Sequence, residues 1–419
     1  MIRVIDSVMG SGKTKYMIKK MSKLVAPYDN TNIIYVTPFL TEVDRIIREC
    51  DDVKFQQPSD VTHRSKTHSL LALIRSDANI VMSHSLFSLI TQEIAHEISL
   101  RRYVLVLDEV MECVSEFKGI TTSDLNMLRD TGYLLTDPVS RRLLWSKGQG
   151  EIYKGKHEAV MRMVNNGKLA LYGEDTVIQE FPAEFLSVFR EVYVLTYLFD
   201  GSPMSAYLAK HGYTYELLTL NKHEVVSWSD HSDEAELKEL LRSRLKIYEG
   251  SKNDIGTKVD RKNPLSLSWY ERQAKSHPDS LAKLKASTED FFKKTAKTQA
   301  LYNAWTVFSD FQSKTKGQRY TKGFIPFNCR ATNHYIEKRS LAYLCNVFPR
   351  PVISQYLDGK GIKFNKDLYA LSEMLQWIWR SQIRRHDPIH LFIPSERMRN
   401  LLYLWLNTRS TPELISKLS

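Results

Sequence analysis

The sequence predicts an α/β fold of two or three domains built on parallel sheets, and three observations carry that expectation. Short Val- and Ile-rich runs alternate with helical stretches over the first half of the chain, the pattern of strands joined by right-handed crossovers. One run, YVLVL at Tyr103 to Leu107, is apolar throughout, as a parallel strand covered on both faces should be. The 419 residues, 42% of them hydrophobic, exceed one small domain at roughly 150 residues per domain.

Taken in order, Ile2 to Ile5 reads as the first strand, followed by a glycine-bearing turn and a helix from Lys13 to about Leu24. Asn32 to Thr37, Asn79 to Ser83, Tyr103 to Leu107 and Glu191 to Thr196 read as four more strands. The stretch from Glu112 to Arg190 has helical patches and turn signals such as Asn165 to Gly167, and is expected to be an insertion over about 113–185. From Arg272 to Gly323 there are 11 Lys or Arg against 4 Asp or Glu, a net +7. That stretch is either a solvated helical face or a surface for a polyanion, with Lys293 and Lys294 as candidate contacts.

Charge narrows the class of partner. Against 48 Asp and Glu stand 59 Lys and Arg, a formal +11, which points to a polyanion, although a basic enzyme with no such partner has the same balance. Cys50, Cys113, Cys329 and Cys345 lie too far apart for a CxxC metal site and are too few for a disulfide framework, so a reducing, cytoplasmic compartment is expected. The N-terminal MIRVIDSVMG is not a secretory signal, and no run approaches the ~18 apolar residues of a membrane span, so no membrane partner is expected.

Two motifs carry chemistry. Ser7-Val8-Met9-Gly10-Ser11-Gly12-Lys13-Thr14 follows a predicted strand and opens a predicted helix, the context a phosphate loop requires. Its backbone N–H groups and the helix N-terminus suit phosphate oxygens, Lys13 reaches the β- and γ-phosphates, and Thr14 is placed to ligate Mg²⁺. The strict pattern has glycine where this chain has Ser7. Asp108 and Glu109 end the YVLVL strand, where open α/β sheets place ligands. Asp108 is expected to hold Mg²⁺ and Glu109 to deprotonate an attacking water; the bland reading of the pair is a helix cap.

With those motifs in place, the chain resembles the superfamily 2 DExx-box helicases, and more closely a branch found in tailed bacteriophages and herpesvirus origin-binding proteins. SVMGSGKT looks like motif I, VTPFLTEVDRI at Val36 to Ile46 like motif Ia, and IVMSHSLFS at Ile80 to Ser88 like the next strand-end contact motif. VLDEVME at Val106 to Glu112 resembles the DExx box, VLTYLFDGS at Val194 to Ser202 stands in place of motif III, and QWIWRSQIR at Gln376 to Arg384 is similar to motif VI. KGFIPFNCRATNHY at Lys322 to Tyr335 is a candidate motif V, or else an ordinary strand with a polar turn. The sequence departs from the family at Thr196-Tyr197, where motif III has Ser-Ala, and at Trp379, where motif VI commonly has glycine.

The resemblance implies two RecA-like lobes with an ATP cleft between them, one over residues 1–222 and one over 223–419, the second with a basic accessory insertion at about 234–319. It implies ATP hydrolysis with Mg²⁺, in which Gln376 and Arg380 face the γ-phosphate together with Arg384 or Arg385, the spacing slightly favouring Arg384. It also implies that Thr37, Pro38, His84, Thr332 and Asn333 contact nucleic acid, and that DNA, single-stranded or forked, is the partner, with phage replication proteins beside it. An RNA helicase and a nucleotide-gated origin-binding protein are the rival readings. Trp269, Tyr270, Trp305 and Trp377 are either base-stacking platforms or core aromatics, more commonly the latter.

Overall fold

The computed structural model describes the chain apart from residues 26–29, 62–64, 147–152, 154, 222–223, 229–233, 259–262, 329–334, 360–361, 363 and 419. Five strands begin the chain: β1 (Ile2–Asp6), β2 (Asn32–Thr37), β3 (Phe55–Gln56), β4 (Asn79–Ser83) and β5 (Tyr103–Asp108). Five shorter ones follow: β6 (Val114–Glu116), β7 (Leu134–Thr136), β8 (Leu143–Trp145), β9 (Leu169–Tyr172) and β10 (Thr176–Glu180). Then come β11 (Glu191–Thr196), β12 (Tyr215–Asn221), β13 (Glu224–Ser227), β14 (Leu245–Ile247), β15 (Asn303–Thr306), β16 (Ser340–Tyr343) and β17 (Ile389–Phe392).

The first lobe is one sheet in the order β13-β12-β1-β11-β5-β2-β4-β3, parallel throughout except for the β12–β13 hairpin. Alternation along its central strands explains why they read as unbroken apolar runs. Val104 and Val106 join Ile33, Tyr35, Tyr193 and Leu195 in the core on one face. Leu105 and Leu107 join Ile34, Val36, Val192 and Val194 in the core on the other. The expected domain boundary at 222 lies outside the described residues; β13, which follows it, still belongs to this sheet.

Between β5 and β11 the chain builds a unit of its own. β6, β10 and β9 form an antiparallel sheet beside the β7–β8 hairpin. Leu125, Leu128, Leu134, Leu143, Val160, Val164, Leu169, Leu171 and Val177 give it a separate core. The bounds expected for an insertion, about 113–185, fall on this stretch.

The second lobe is a four-stranded parallel sheet, β14-β17-β16-β15. Helices Lys366–Ile378 and Glu396–Asn407 cover one face. Helices Leu267–Ser276 and Pro278–Asp290 and the π-helical turn Phe291–Ala296 cover the other. The expected accessory insertion at 234–319 is therefore corrected: it contains β14 and β15, half of the lobe's strands, and only the helices between them are inserted. Strands of three and four residues beside charged segments carry too little periodicity to separate from their surroundings. Trp269, Tyr270, Trp305 and Trp377 are all buried, so they serve as core aromatics. Among the described residues, no helix is long and apolar enough to cross a membrane.

Candidate nucleotide site

The loop from Ser7 to Thr14 leaves the carboxyl end of β1 and enters helix Lys13–Leu24. Gly10 and Gly12 lie at φ +83° and +90°, which an L side chain adopts at a cost. Ser11 N–H donates to Val8 O at 3.3 Å, closing the turn. Lys13 folds back over the loop, its Nζ donating to Ser7 O at 2.5 Å and Val8 O at 3.1 Å. Burial lowers the pKa of Lys13, while Glu109, Asp6, Asp108 and Glu234 act to raise it, so the ammonium and four carboxylates share one field.

Ser7 has a structural explanation. Its hydroxyl pairs with Thr219 Oγ1 at 2.8 Å and accepts the Leu220 N–H at 2.7 Å, fastening the loop to β12. Met9 and Thr14 are half-buried in the same loop.

At the end of β5, Asp108 Oδ2 accepts the Tyr35 hydroxyl at 2.8 Å. Burial, and then the neighbouring Glu109, push the Asp108 pKa up to about 6. Glu109 sits at φ +74°, its N–H donating to Leu195 O at 2.9 Å, a strained backbone for a residue with a Cβ. Its Oε2 is buried and makes no hydrogen bond. Asp6 is buried beneath the loop and accepts the N–H groups of Leu198 (2.8 Å) and Phe199 (3.1 Å); burial pushes its pKa up to about 7 against those two bonds.

One helix of the second lobe reaches this site. The start of Lys366–Ile378 presses on Gly201, where an added Cβ would lie 2.7 Å from the Leu368 carbonyl carbon. At its other end, Trp379 lies on Gly10, where an added Cβ would fall 2.9 Å from Trp379 Cζ2. Two glycines of the first lobe thus seat both ends of one helix of the second. Gln376 is buried on that helix, its Nε2 donating to Ser372 Oγ at 3.5 Å, and Arg380 follows Trp379 half-buried. Arg384 and Arg385 part company: Arg385 pairs with Glu337 of its own lobe at 2.9 Å. Arg384 feels Arg45 and Glu42 of the first lobe; burial and then Arg45 lower its pKa, and Glu42 raises it.

A second contact between the lobes lies at Tyr197, just after β11. Its hydroxyl donates to Glu234 Oε2 at 3.1 Å and accepts the Trp405 indole N–H at 2.6 Å, while its carbonyl accepts from Ser372 Oγ at 3.3 Å. Glu234 also pairs with Lys238 at 2.9 Å and accepts the Thr411 hydroxyl at 2.7 Å, and Lys238 donates to Thr408 O at 3.2 Å. Lys238 and Glu234 are 0% and 2% exposed. Nothing in the sequence marked this network; an i,i+4 Glu–Lys pair reads as an ordinary helix surface.

The expected nucleic-acid contacts are dispersed. Thr37 is fully buried at the end of β2 with its hydroxyl unpaired, so it presents nothing to a surface ligand, and Pro38 is half-buried beside it. His84 lines a cavity of about 300 Å³ with Ser85, Ser88, Glu112, Lys168 and Gln179, beneath the inserted unit. Lys293 and Lys294 are exposed on the π-helical turn, and Lys294 is tied to Asp290 at 2.9 Å. Thr332 and Asn333 lie outside the described residues.

Fold and site together define a two-lobed parallel α/β protein whose strand-to-helix glycine loop faces a helix of the opposite lobe. The chain belongs to the family of the SPbeta prophage-derived uncharacterized protein YonV of Bacillus subtilis (strain 168), to which it is 37% identical over 420 residues spanning 97% of this chain and 99% of that one. The family described as the YonV C-terminal Rossmann-like domain matches residues 239–406, which hold all four strands of the second lobe. Among solved structures, the chain is similar to S. tokodaii Xpd4 (10% identity, 96% of this chain, 93% of that chain, TM-score 0.49) and to a structure titled XPD helicase (12%, 96%, 94%, 0.45).

Proposed function

We propose that this protein is an ATP-dependent DNA helicase or translocase of superfamily 2, acting in phage DNA replication or recombination. The observation that carries the reading is the contact of Trp379, the residue before Arg380, with the Gly10 loop, which supports second-lobe arginines acting at the first-lobe motifs. The residues there fit a nucleotide. Ser11 Oγ and Glu109 Oε2 are buried without partners, two glycines hold the loop open to phosphate oxygens, and the Lys13 ammonium is already aimed into it.

In this reading Lys13 would exchange its two loop carbonyls for the β- and γ-phosphates, and Thr14 and Asp108 would hold Mg²⁺. Among the described residues no group of three or more His, Cys, Asp or Glu could hold a metal alone, so the ion would complete its shell with phosphate and water. Mg²⁺ supplies neutralisation of charge developing on the phosphoryl oxygens. Glu109, with a free carboxylate oxygen, takes the proton of the attacking water. Arg380 stabilises the transferring group, and Arg384 is the second arginine, because Arg385 is held by Glu337 within its own lobe while Arg384 faces Glu42 and Arg45.

DNA as the polymer rests on the +11 charge and on the resemblance. The phage setting rests on the resemblance and on a relative whose name calls it prophage-derived. The test is steady-state ATPase without polymer and with single-stranded DNA, forked DNA or RNA, followed by strand displacement. Stimulation by DNA with displacement is expected. RNA-only stimulation would move the assignment to RNA, stimulation without displacement would favour a nucleotide-gated binder, and absence of ATPase under every condition would overturn the reading.

A further inference from the structure

Helix Lys366–Ile378 delivers to the loop one side chain that the scheme above does not use. Trp379 stands where the resembled motif carries glycine, and it is 8% exposed. The edge of its indole that faces Gly10 is the edge that bears the nitrogen: a Cβ on Gly10 would lie 2.9 Å from Cζ2, 3.6 Å from Cε2 and 3.7 Å from Nε1. Nε1 is buried and has no hydrogen-bond partner.

An unpaired indole N–H is not by itself a signal here. Trp305 Nε1 is also unpaired, but that ring is enclosed by Tyr320 and Phe324 in the apolar core of the second lobe, where no ligand could reach it. Two other second-lobe tryptophans satisfy theirs, Trp377 on Ile325 O at 3.1 Å and Trp405 on the Tyr197 hydroxyl. Trp379 differs in place: its donor lies on a loop whose own Ser11 Oγ is unpaired, near a strand end where Glu109 Oε2 is unpaired. A wall of the apolar core would need only the ring, which phenylalanine supplies equally well. A buried donor beside a loop shaped for phosphate asks for an acceptor.

We infer that Trp379 is a nucleotide-binding residue: its indole N–H donates to a phosphate oxygen of a nucleoside di- or triphosphate held by the Gly10–Thr14 loop. The inference rests on the nucleotide reading above and adds to it a neutral, uncharged donor supplied by the second lobe. Nucleotide bound in this way ties the two lobes at Gly10 without any arginine, so a diphosphate retains the tie after the γ-phosphate has gone.

The test is a titration of the full-length protein with ATP and ADP in Mg²⁺, followed by tryptophan fluorescence and by equilibrium dialysis, for wild type, Trp379→Phe and Lys13→Ala. Wild type should bind with a fluorescence change. Trp379→Phe, which keeps the ring and removes the N–H, should bind both nucleotides about tenfold to a hundredfold more weakly and lose most of that change. Wild-type affinity in Trp379→Phe, with binding lost in Lys13→Ala, would overturn the inference and leave the nucleotide site standing; absence of binding in the wild type would remove both. Should Trp379→Phe fail to fold, the indole ¹H–¹⁵N spectrum of the wild type decides. One of its seven indole resonances should move downfield with ADP, and seven unmoved resonances overturn the inference.

Discussion

Two of the polar junctions between the lobes, one at Tyr197 and one at Gly10, are built on opposite principles. Around Tyr197 and Glu234 donors meet acceptors: hydroxyl to carboxylate, indole to hydroxyl, ammonium to carboxylate and carbonyl. Around Gly10 and Glu109, side-chain atoms of Ser11, Glu109 and Trp379 are buried and unmatched, and three backbones sit at positive φ. A protein that satisfies one buried junction and leaves another open is not short of partners in general. The first junction is a fastening that holds whatever is bound, and the second is a place finished by something else.

The sharpest way to break that contrast is to remove groups from the open junction and watch activity, not stability. Glu109→Gln should lower ATP hydrolysis by about 10² to 10⁴ while ATP still binds, with an unchanged melting curve. Lys13→Ala should lose turnover and nucleotide binding together. Arg380→Ala should lose polymer-stimulated hydrolysis by roughly 10³ or more, and Arg380→Lys should recover little because a point charge does not reproduce the planar fork. A large loss of fold stability in Glu109→Gln would mean that the open junction is structural after all.

The matched junction should respond the other way. Lys238→Met leaves the Glu234 carboxylate buried without its cation, and should cost about 3 to 5 kcal/mol in chemical denaturation. Replacing both partners by a well-packed apolar pair should cost much less. ATPase per folded molecule should stay near wild type at low temperature; a selective loss would show that the Tyr197 network is part of the hydrolytic machinery.

A smaller effect separates the buried carboxylate between the two junctions. Asp6, pushed up to about 7 by burial, binds more proton folded than unfolded between pH about 4 and 7. Its contribution to stability is therefore fully present below about pH 4 and is lost as the pH rises through 7. Asp6→Asn should flatten that part of the stability profile, measured by denaturation at fixed pH steps; an unchanged slope would mean that the two backbone N–H groups keep Asp6 ionised.

The smallest effect lies far from both junctions. Replacing Lys293, Lys294 and Lys297 with Ala should flatten the salt dependence of DNA binding by up to about one unit of slope per lost phosphate contact, with basal ATPase unaffected. Unchanged affinity and slope would leave this basic stretch a solvated face.

Much of the first lobe was legible before any coordinates. The strands over Asn32–Thr37, Asn79–Ser83 and Glu191–Thr196 and the helix over Lys13–Leu24 fall where the runs place them, because strands buried on both faces are apolar without interruption. The margin of the sheet is less visible: β12 is largely half-buried, and β13, the edge strand, pairs on only one side. β14, three residues long, is indistinguishable from the turn after a helix. In the candidate site, the family departures were legible as departures and not as functions. Ser7 departs because Thr219 and Leu220, more than 200 residues away, need its hydroxyl, and Trp379 departs because Gly10 leaves room for an indole. The Glu234–Lys238 pair was invisible because spacing along a helix says nothing of what packs over it.

The Ser7 hydroxyl has a mechanical consequence. It splices the loop onto β12, and β12 turns back as β13, from which the chain proceeds to Glu234 and the second lobe. β12 is held to the rest of the lobe by its backbone ladder with β1, by the Arg3–Glu216 pair and by this serine at the root of the loop. A shift of β12 against β1 is therefore carried by the Ser7 hydroxyl into the glycine loop itself, so the sheet margin and the loop move as one piece.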